Sequence, residues 1–252
     1  PNEKIHGGLR IHPEYPRHFQ FEDGTNHFMI AYECDWLWAL DEVESGRGNI
    51  KDFINSIKDY GFNHIVMNVY GYDTFWARGK TGIKDFGPPD GFLWEGTNEA
   101  PDHSRFDISF FKKYDRVMSL LLEEGITAHI FLKVYNKFVN WPEKYSPQDD
   151  LYFKYVVSRY QAYANIIWDF AKETYYEADK DYVFNRLALI KSLDGYKRLT
   201  TVHDDHYLYS MEECRKVVDF ITLQQHFDIY TSGILERSKG EWPVFNSEFG
   251  YE

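Results

Sequence analysis

Two glutamates stand where apolar runs end: Glu173 closes NIIWDFAKE and Glu248 sits within PVFNSEFGYE. Short apolar runs of this kind read as buried strands, so each carboxyl is delivered to the C-terminal tip of a strand. When two such groups face each other across a cleft, desolvation and like-charge repulsion keep one protonated while the other ionises. One can then give a proton to a leaving oxygen while the other attacks carbon, which is the chemistry of glycosidic bond cleavage. Lys172 directly precedes Glu173, so one apolar strand delivers two ionisable neighbours.

The remaining apolar runs also end in polar residues. Glu33, Asp35 and Trp36 follow the first, Asn68, Tyr70 and Asp73 the second, and Lys133 and Tyr135 the third; His203, Asp204 and Asp205 follow the fifth, and Gln225, His226 and Asp228 the sixth. From these, Asp35, Trp36, Asn68, Tyr70, Lys133, Lys172, His203, Gln225 and His226 are the candidate substrate-binding residues. Each of Trp36, Tyr70, Trp76 and Tyr230 taken singly reads as a packing residue, but the group is expected to include one flat ring on which a sugar stacks. The HDDH run at 203–206 raises the question of a metal. Neighbours on a strand alternate faces, so His203 and Asp205 converge while Asp204 and His206 turn away, and the first strand, MIAYECDW, offers no histidine ligand. His203 and His226 are therefore read as hydrogen-bonding groups, with no metal and no cofactor expected.

These tips need a scaffold that gathers them at one end. From residue 28 onward, strand-like runs alternate with amphipathic ones: HFMIAYECDW, NIKDFINSIKDYG, NHIVMNVYGYD, DISFFKKYDRVMSLLLEEG, ITAHIFLKVY, DDLYFKYVVSRYQAY, ANIIWDFAKE and onward to WPVFNSEFGYE. Gly61 and Gly125 sit where helices end before strands. Seven strands with intervening helices imply a parallel α/β arrangement. No GxGxxG or GxxxxGK[ST] follows the first strand, which favours a (β/α)8 TIM-type barrel over a doubly wound sheet. Residues 1–27 read as an N-terminal β-hairpin turning at Asp23-Gly24 and closing the barrel floor. The Gly- and Pro-rich segment near 74–106 reads as a long loop over the site. The whole, 1–252, is expected to be a single catalytic barrel domain lacking the last βα unit, a fragment of a longer protein.

Composition narrows the partners. The formal net charge is -12, which repels polyanions, so nucleic acid is not expected. Aromatic residues make up 19% of the chain, more than packing alone requires, which suits sugars and bases alike. Cys34 and Cys214 are the two cysteines and form no CxxC, so neither a zinc ribbon nor a disulfide framework is indicated. No run approaches a membrane span, and no signal-peptide stretch opens the chain. Export to the periplasm or beyond is the expected location, with the cytoplasm as the alternative.

Taken together, NIIWDFAKE resembles the strand-four motif of the retaining glycosidases often grouped as clan A, and PVFNSEFGYE resembles their strand-seven motif. More narrowly, FQFEDGT, YECDWLW, FITLQQH and NSEFGYE resemble the bacterial apiosidase-like glycosidases, in order and over nearly the whole chain. The resemblance implies that Glu173 is the acid/base and Glu248 the nucleophile of a double displacement on a carbohydrate. It also implies an asparagine where Lys172 stands, hydrogen-bonded to the sugar 2-OH. An ammonium donates but cannot accept, so Lys172 together with Lys133 opens the alternative of an anionic sugar. Two further alternatives are a carbohydrate-binding pseudoenzyme on the same barrel and, last, a metal-dependent hydrolase.

Overall fold

The computed structural model of the chain describes residues 2–42, 49–71, 91–204, 208, 211–225 and 241–249. It opens with an antiparallel sheet of three short strands, β1 (Leu9–Ile11), β2 (Phe19–Phe21) and β3 (Asn26–His27). The turn between β2 and β3 runs through Asp23 and Gly24, whose φ of 91° suits a residue without Cβ. The N-terminal unit thus has three strands and not two.

Parallel strands follow: β4 (Ala31–Glu33), β5 (His64–Asn68), β8 (Thr127–Val134), β9 (Ile166–Lys172), β10 (Thr200–Thr201), β11 (His203–Asp204), β12 (Ile221–Gln225) and β13 (Val244–Phe249). Between β5 and β8 lies an antiparallel pair, β6 (Trp94–Thr97) and β7 (Ala100–Phe106). One ladder runs β4-β5-β8-β9-β10 and a second runs β11-β12-β13, all parallel. Val202 alone separates β10 from β11, so the two are halves of one strand, giving the seven strand positions the sequence predicts. The ladder breaks because the His203 N–H goes to the Asp169 side chain, Oδ1 at 3.0 Å, instead of a backbone carbonyl. β13 lies against β4, but among the described residues no ladder joins them.

Helices α1 (Ile50–Asp59), α2 (Ile108–Glu123), α3 (Pro147–Tyr160), α4 (Lys180–Leu193) and α5 (Glu212–Val217) fill the connections. Their starts are written in the sequence. The side chains of Asn49, Asp107, Ser146 and Asp179 each accept a first-turn N–H, and Pro147 occupies the first helical position of α3. Their ends are equally legible in α1 and α2. Gly61 donates to the Lys58 carbonyl and Phe62 to that of Ile57; Gly125 donates to Leu122 and Ile126 to Leu121. This is the paired 5→2 and 6→1 closure that a left-handed glycine permits, with φ of 86° at Gly61 and 70° at Gly125.

The strands separate two apolar regions. Ala128, Ile130 and Leu132 of β8 and Ile166, Trp168 and Phe170 of β9 face the helices, where they meet Tyr114, Val117, Phe153, Val156 and Leu187. The opposite face carries Val66, Phe131, Ile167, Leu199, Phe220 and Phe245, and Leu9 and Phe19 of the N-terminal sheet pack onto that set. Phe131 is fully buried there, beside the His203 ring at 5.2 Å. Phe131→Ala is expected to cost about 3–5 kcal/mol through lost contacts and the cavity left behind. Thermal denaturation should register it as a drop of roughly 10 °C.

The segment expected to be a plain loop over the site is in its described part the β6–β7 hairpin. Trp94 anchors it in the outer core between Trp141, Tyr152 and His103, and Asn98 ties it to Phe138 and Asn140. Residues 72–90, including Asp73 and Trp76, lie outside the described residues.

Candidate active site

The tip of β9 departs from simple alternation. Counting in twos puts Ile167 and Asp169 inward and Phe170 outward, which would send Lys172 outward too. Instead the pleat inverts near its end: Ala171 joins the outer core, while Lys172 reaches the inner side and meets Glu33, Asp35 and Glu248. Asp169 Oδ1 accepts the Ala171 N–H at 3.2 Å as well as that of His203, fixing the backbone at the point of inversion. The next residue, Glu173, has φ of 55° and ψ of 49°, a left-handed conformation that costs an L-residue about 1–3 kcal/mol. That turn lets two consecutive side chains serve one region.

Glu173 is buried, and its Oε1 accepts from Asn136 Nδ2 at 2.7 Å and from Gln224 Nε2 at 3.4 Å. The Tyr175 phenol is pushed well above its ordinary range by burial first, then by the Glu173 charge, with Glu248 adding to it. His203 links the two glutamates from beneath. Its Nδ1 accepts the Glu173 backbone N–H at 3.0 Å, so in the neutral ring the proton sits on Nε2, which faces Glu248 Oε2 at 3.8 Å. Glu173, through its backbone, and Glu248, through its carboxylate, thus meet the same imidazole.

Lys172 approaches the same Glu248 oxygen, with Nζ 3.8 Å from Oε2. It is 4% exposed, pairs closely with Glu33 and lies 3.3 Å from Asp35 Oδ1. Burial alone would depress this ammonium, but Asp35, Glu33 and Glu248 together hold its pKa well above the usual lysine value. Asp35 also meets Lys137 Nζ at 3.6 Å and the Asn68 amide at 3.0 Å.

A buried polar chain supports these groups. His64 Nε2 lies 3.3 Å from His129 Nδ1, and His129 Nε2 lies 2.9 Å from Asp169 Oδ2. Burial raises the pKa of Asp169, against the opposing pull of His129. Asp204, by contrast, turns to the Leu208 N–H at 2.8 Å. Among the described residues no trio of His, Cys, Asp or Glu is placed to hold a metal ion.

Several sequence-predicted residues stand elsewhere than expected. Lys133 does not enter the mouth: its Nζ accompanies the Tyr182 hydroxyl at 2.9 Å and Asp149 at 3.8 Å beside the helices, and burial pushes its pKa down to about 8. Tyr70 is 2% exposed, packed on Trp38, Phe92 and Phe110, and is a core residue, not a sugar platform. Trp36 is 8% exposed, donates to the Gly71 carbonyl at 2.6 Å and faces Lys137, leaving too little surface for a sugar to stack on. Asn68 is fully buried and acts on Asp35. Gln225 pairs with Phe249 in the ladder, while its side chain, His226, Asp205, His206, Asp228 and Tyr230 lie outside the described residues. Sequence reasoning missed Gln224, although Phe220 lies on the inner face and Ile221 and Leu223 on the outer, so that counting in twos places Gln224 inward.

A sequence profile described as "Apiosidase-like, catalytic domain" matches residues 14–252. The chain belongs to that family. No curated protein matches it. Among solved structures, this apiosidase-like domain is similar to a candidate glycoside hydrolase from Bacteroides vulgatus, with a TM-score of 0.76 and 22% identity over 100% of this chain and 49% of the other. A glycoside hydrolase family 5 protein from the same organism gives 0.65 and 20%, covering 98% of this chain and 54% of that one. A family 5 mannosidase from Rhizomucor miehei gives 0.70 and 14%, covering 97% and 73%. At these identities the likeness is one of fold, a TIM-barrel arrangement. The domain spans about half the length of the two Bacteroides proteins.

Proposed function

We propose that this apiosidase-like domain is a glycoside hydrolase working with retention, Glu173 serving as acid/base and Glu248 as nucleophile. The observation that carries the reading is His203, whose Nδ1 accepts the Glu173 backbone N–H at 3.0 Å while its Nε2 faces Glu248 Oε2 at 3.8 Å. In the first step Glu248 attacks the anomeric carbon while Glu173 gives its proton to the departing oxygen; in the second, Glu173 takes a proton from water as that water displaces Glu248. Lys172, beside Glu248, stabilises its ionised form before attack. The family match and the fold of the structural neighbours support the same class.

Among the described residues, the two lysines considered for an anionic sugar support a neutral glycoside instead. Lys172 is surrounded by three carboxylates and Lys133 lies beside the helices, so neither ammonium is free to bind a uronate. An aryl-glycoside panel including apiosides and mannosides, followed by NMR of the first-formed anomer, tests the proposal. Hydrolysis with the starting anomeric configuration is expected. Inversion would overturn the mechanism, and binding without hydrolysis would favour the pseudoenzyme.

A further inference from the structure

Three consecutive residues past the end of β8 reach into the site. The Tyr135 N–H donates to the Lys172 carbonyl at 3.2 Å, Asn136 Nδ2 donates to Glu173 Oε1 at 2.7 Å, and Lys137 Nζ lies 3.6 Å from Asp35 Oδ2. The Tyr135 hydroxyl also donates to Glu177 Oε2 at 3.0 Å, while Glu177 Oε1 takes Lys144 Nζ and the Asp179 N–H, each at 2.9 Å. Glu173 and the helical turn Thr174–Tyr176 after it are thus fastened before and behind to the segment that follows β8. Asn136 is carried by this braced backbone and meets the Glu173 side chain itself. From β12, Gln224 adds a longer N–H bond, 3.4 Å, to the same oxygen. Both amides donate, and both bonds fall on Oε1. A carboxyl oxygen that accepts N–H bonds takes the carbonyl part, so the proton of the acid belongs on its partner, Oε2.

We propose that Asn136 is a positioning residue for the acid/base: its amide N–H holds Glu173 Oε1, so that Oε2 hands the proton to the leaving oxygen, and it stabilises the charge Glu173 acquires as that proton departs. This rests on the glycosidase reading above. In that step the proton passes from Oε2 to the departing oxygen, which keeps the electron pair of the broken C–O bond, and Glu173 is left as a carboxylate. An N–H bond to a carboxylate is stronger than one to a neutral acid. The Asn136 bond therefore tightens as the transition state forms, and that difference is what raises the rate.

The test compares the parent with Asn136→Leu, which keeps the shape but loses the N–H, and with the smaller Asn136→Ala, on an alkyl and a dinitrophenyl glycoside of the same sugar. On the alkyl glycoside kcat/KM should fall at least about tenfold. On the dinitrophenyl glycoside, whose leaving group needs no proton, it should fall less than about threefold. Equal losses on the two would overturn the proposal, since a general disturbance of the site does not distinguish leaving groups. Added to Glu173→Ala, either substitution should cost less than about twofold more on a nitrophenyl glycoside; losses that multiply would equally overturn it. A further readout needs no turnover. The Asn136 side-chain amide, identified in the 1H–15N spectrum by its loss from Asn136→Leu, should have its bonded proton downfield in the parent and move upfield in Glu173→Ala. An amide indifferent to Glu173→Ala would overturn the proposal. A parent that cleaves no glycoside would instead sink the glycosidase reading, while the amide signal would still decide whether Asn136 holds Glu173.

Discussion

Glu248→Ala loses about 10^4-fold in kcat on any glycoside the parent cleaves, because no other group can bond to the anomeric carbon in its place. Added azide restores turnover by entering the emptied space, and the glycosyl azide it forms has inverted configuration. Glu173→Ala behaves differently. Its loss, about 10^2 to 10^4-fold on substrates with poor leaving groups, shrinks as the leaving group improves, since an activated phenolate departs without protonation. Azide then attacks the glycosyl-enzyme and yields the retained anomer. The opposite configurations from the two variants assign nucleophile and acid/base separately. The same anomer from both would contradict the assignment.

Lys172→Met produces the second large effect, and it falls on stability as well as rate. Methionine matches the volume but leaves Glu33, Asp35 and Glu248 facing one another without the ammonium they share. Breaking a buried ion pair by removing one partner costs about 3–5 kcal/mol, which in a chain of this size lowers Tm by roughly 10 °C. Activity falls about 100-fold where the chain is still folded, because Glu248 is now harder to ionise. Adding Glu33→Gln to Lys172→Met should recover part of the lost Tm by removing one of the mutually repelling acids, a coupling that a double-mutant cycle measures. Additive losses would mean that Glu33 and Lys172 act independently.

Much of the framework was legible in the sequence because it is written in local rules. Strand positions follow from apolar runs, helix starts from Asn49, Asp107, Ser146 and Asp179, and helix ends from Gly61 and Gly125. The places of Glu173, Glu248 and His203 at or beside strand ends follow from the same local rules. What escaped was decided by tertiary geometry. Alternation is a rule about regular strands, and it fails where β9 inverts its pleat at Ala171 and where β13 carries an extra residue, Ser247, so that Glu248 pairs with Gln224. Lys133 went astray for a related reason: inward by counting from His129 and Phe131, it ends beside Asp149 of α3. Asn136 lies after β8 in a stretch without periodicity, where type and spacing carry no sign of a bond to Glu173. The hairpin β6–β7 escaped because Gly and Pro mark turns without saying what the turns join.

One joint in the molecule is held differently from the rest. Where β4 meets β13, among the described residues no backbone ladder closes the gap, yet Glu33 on one side and Glu248 on the other both reach Lys172. The seam is riveted by charge, and its rivet is also part of the proposed catalytic apparatus. Any breathing of these two edges changes the field at Glu248 directly, so on the proposed mechanism loosening of the seam and loss of turnover are one event.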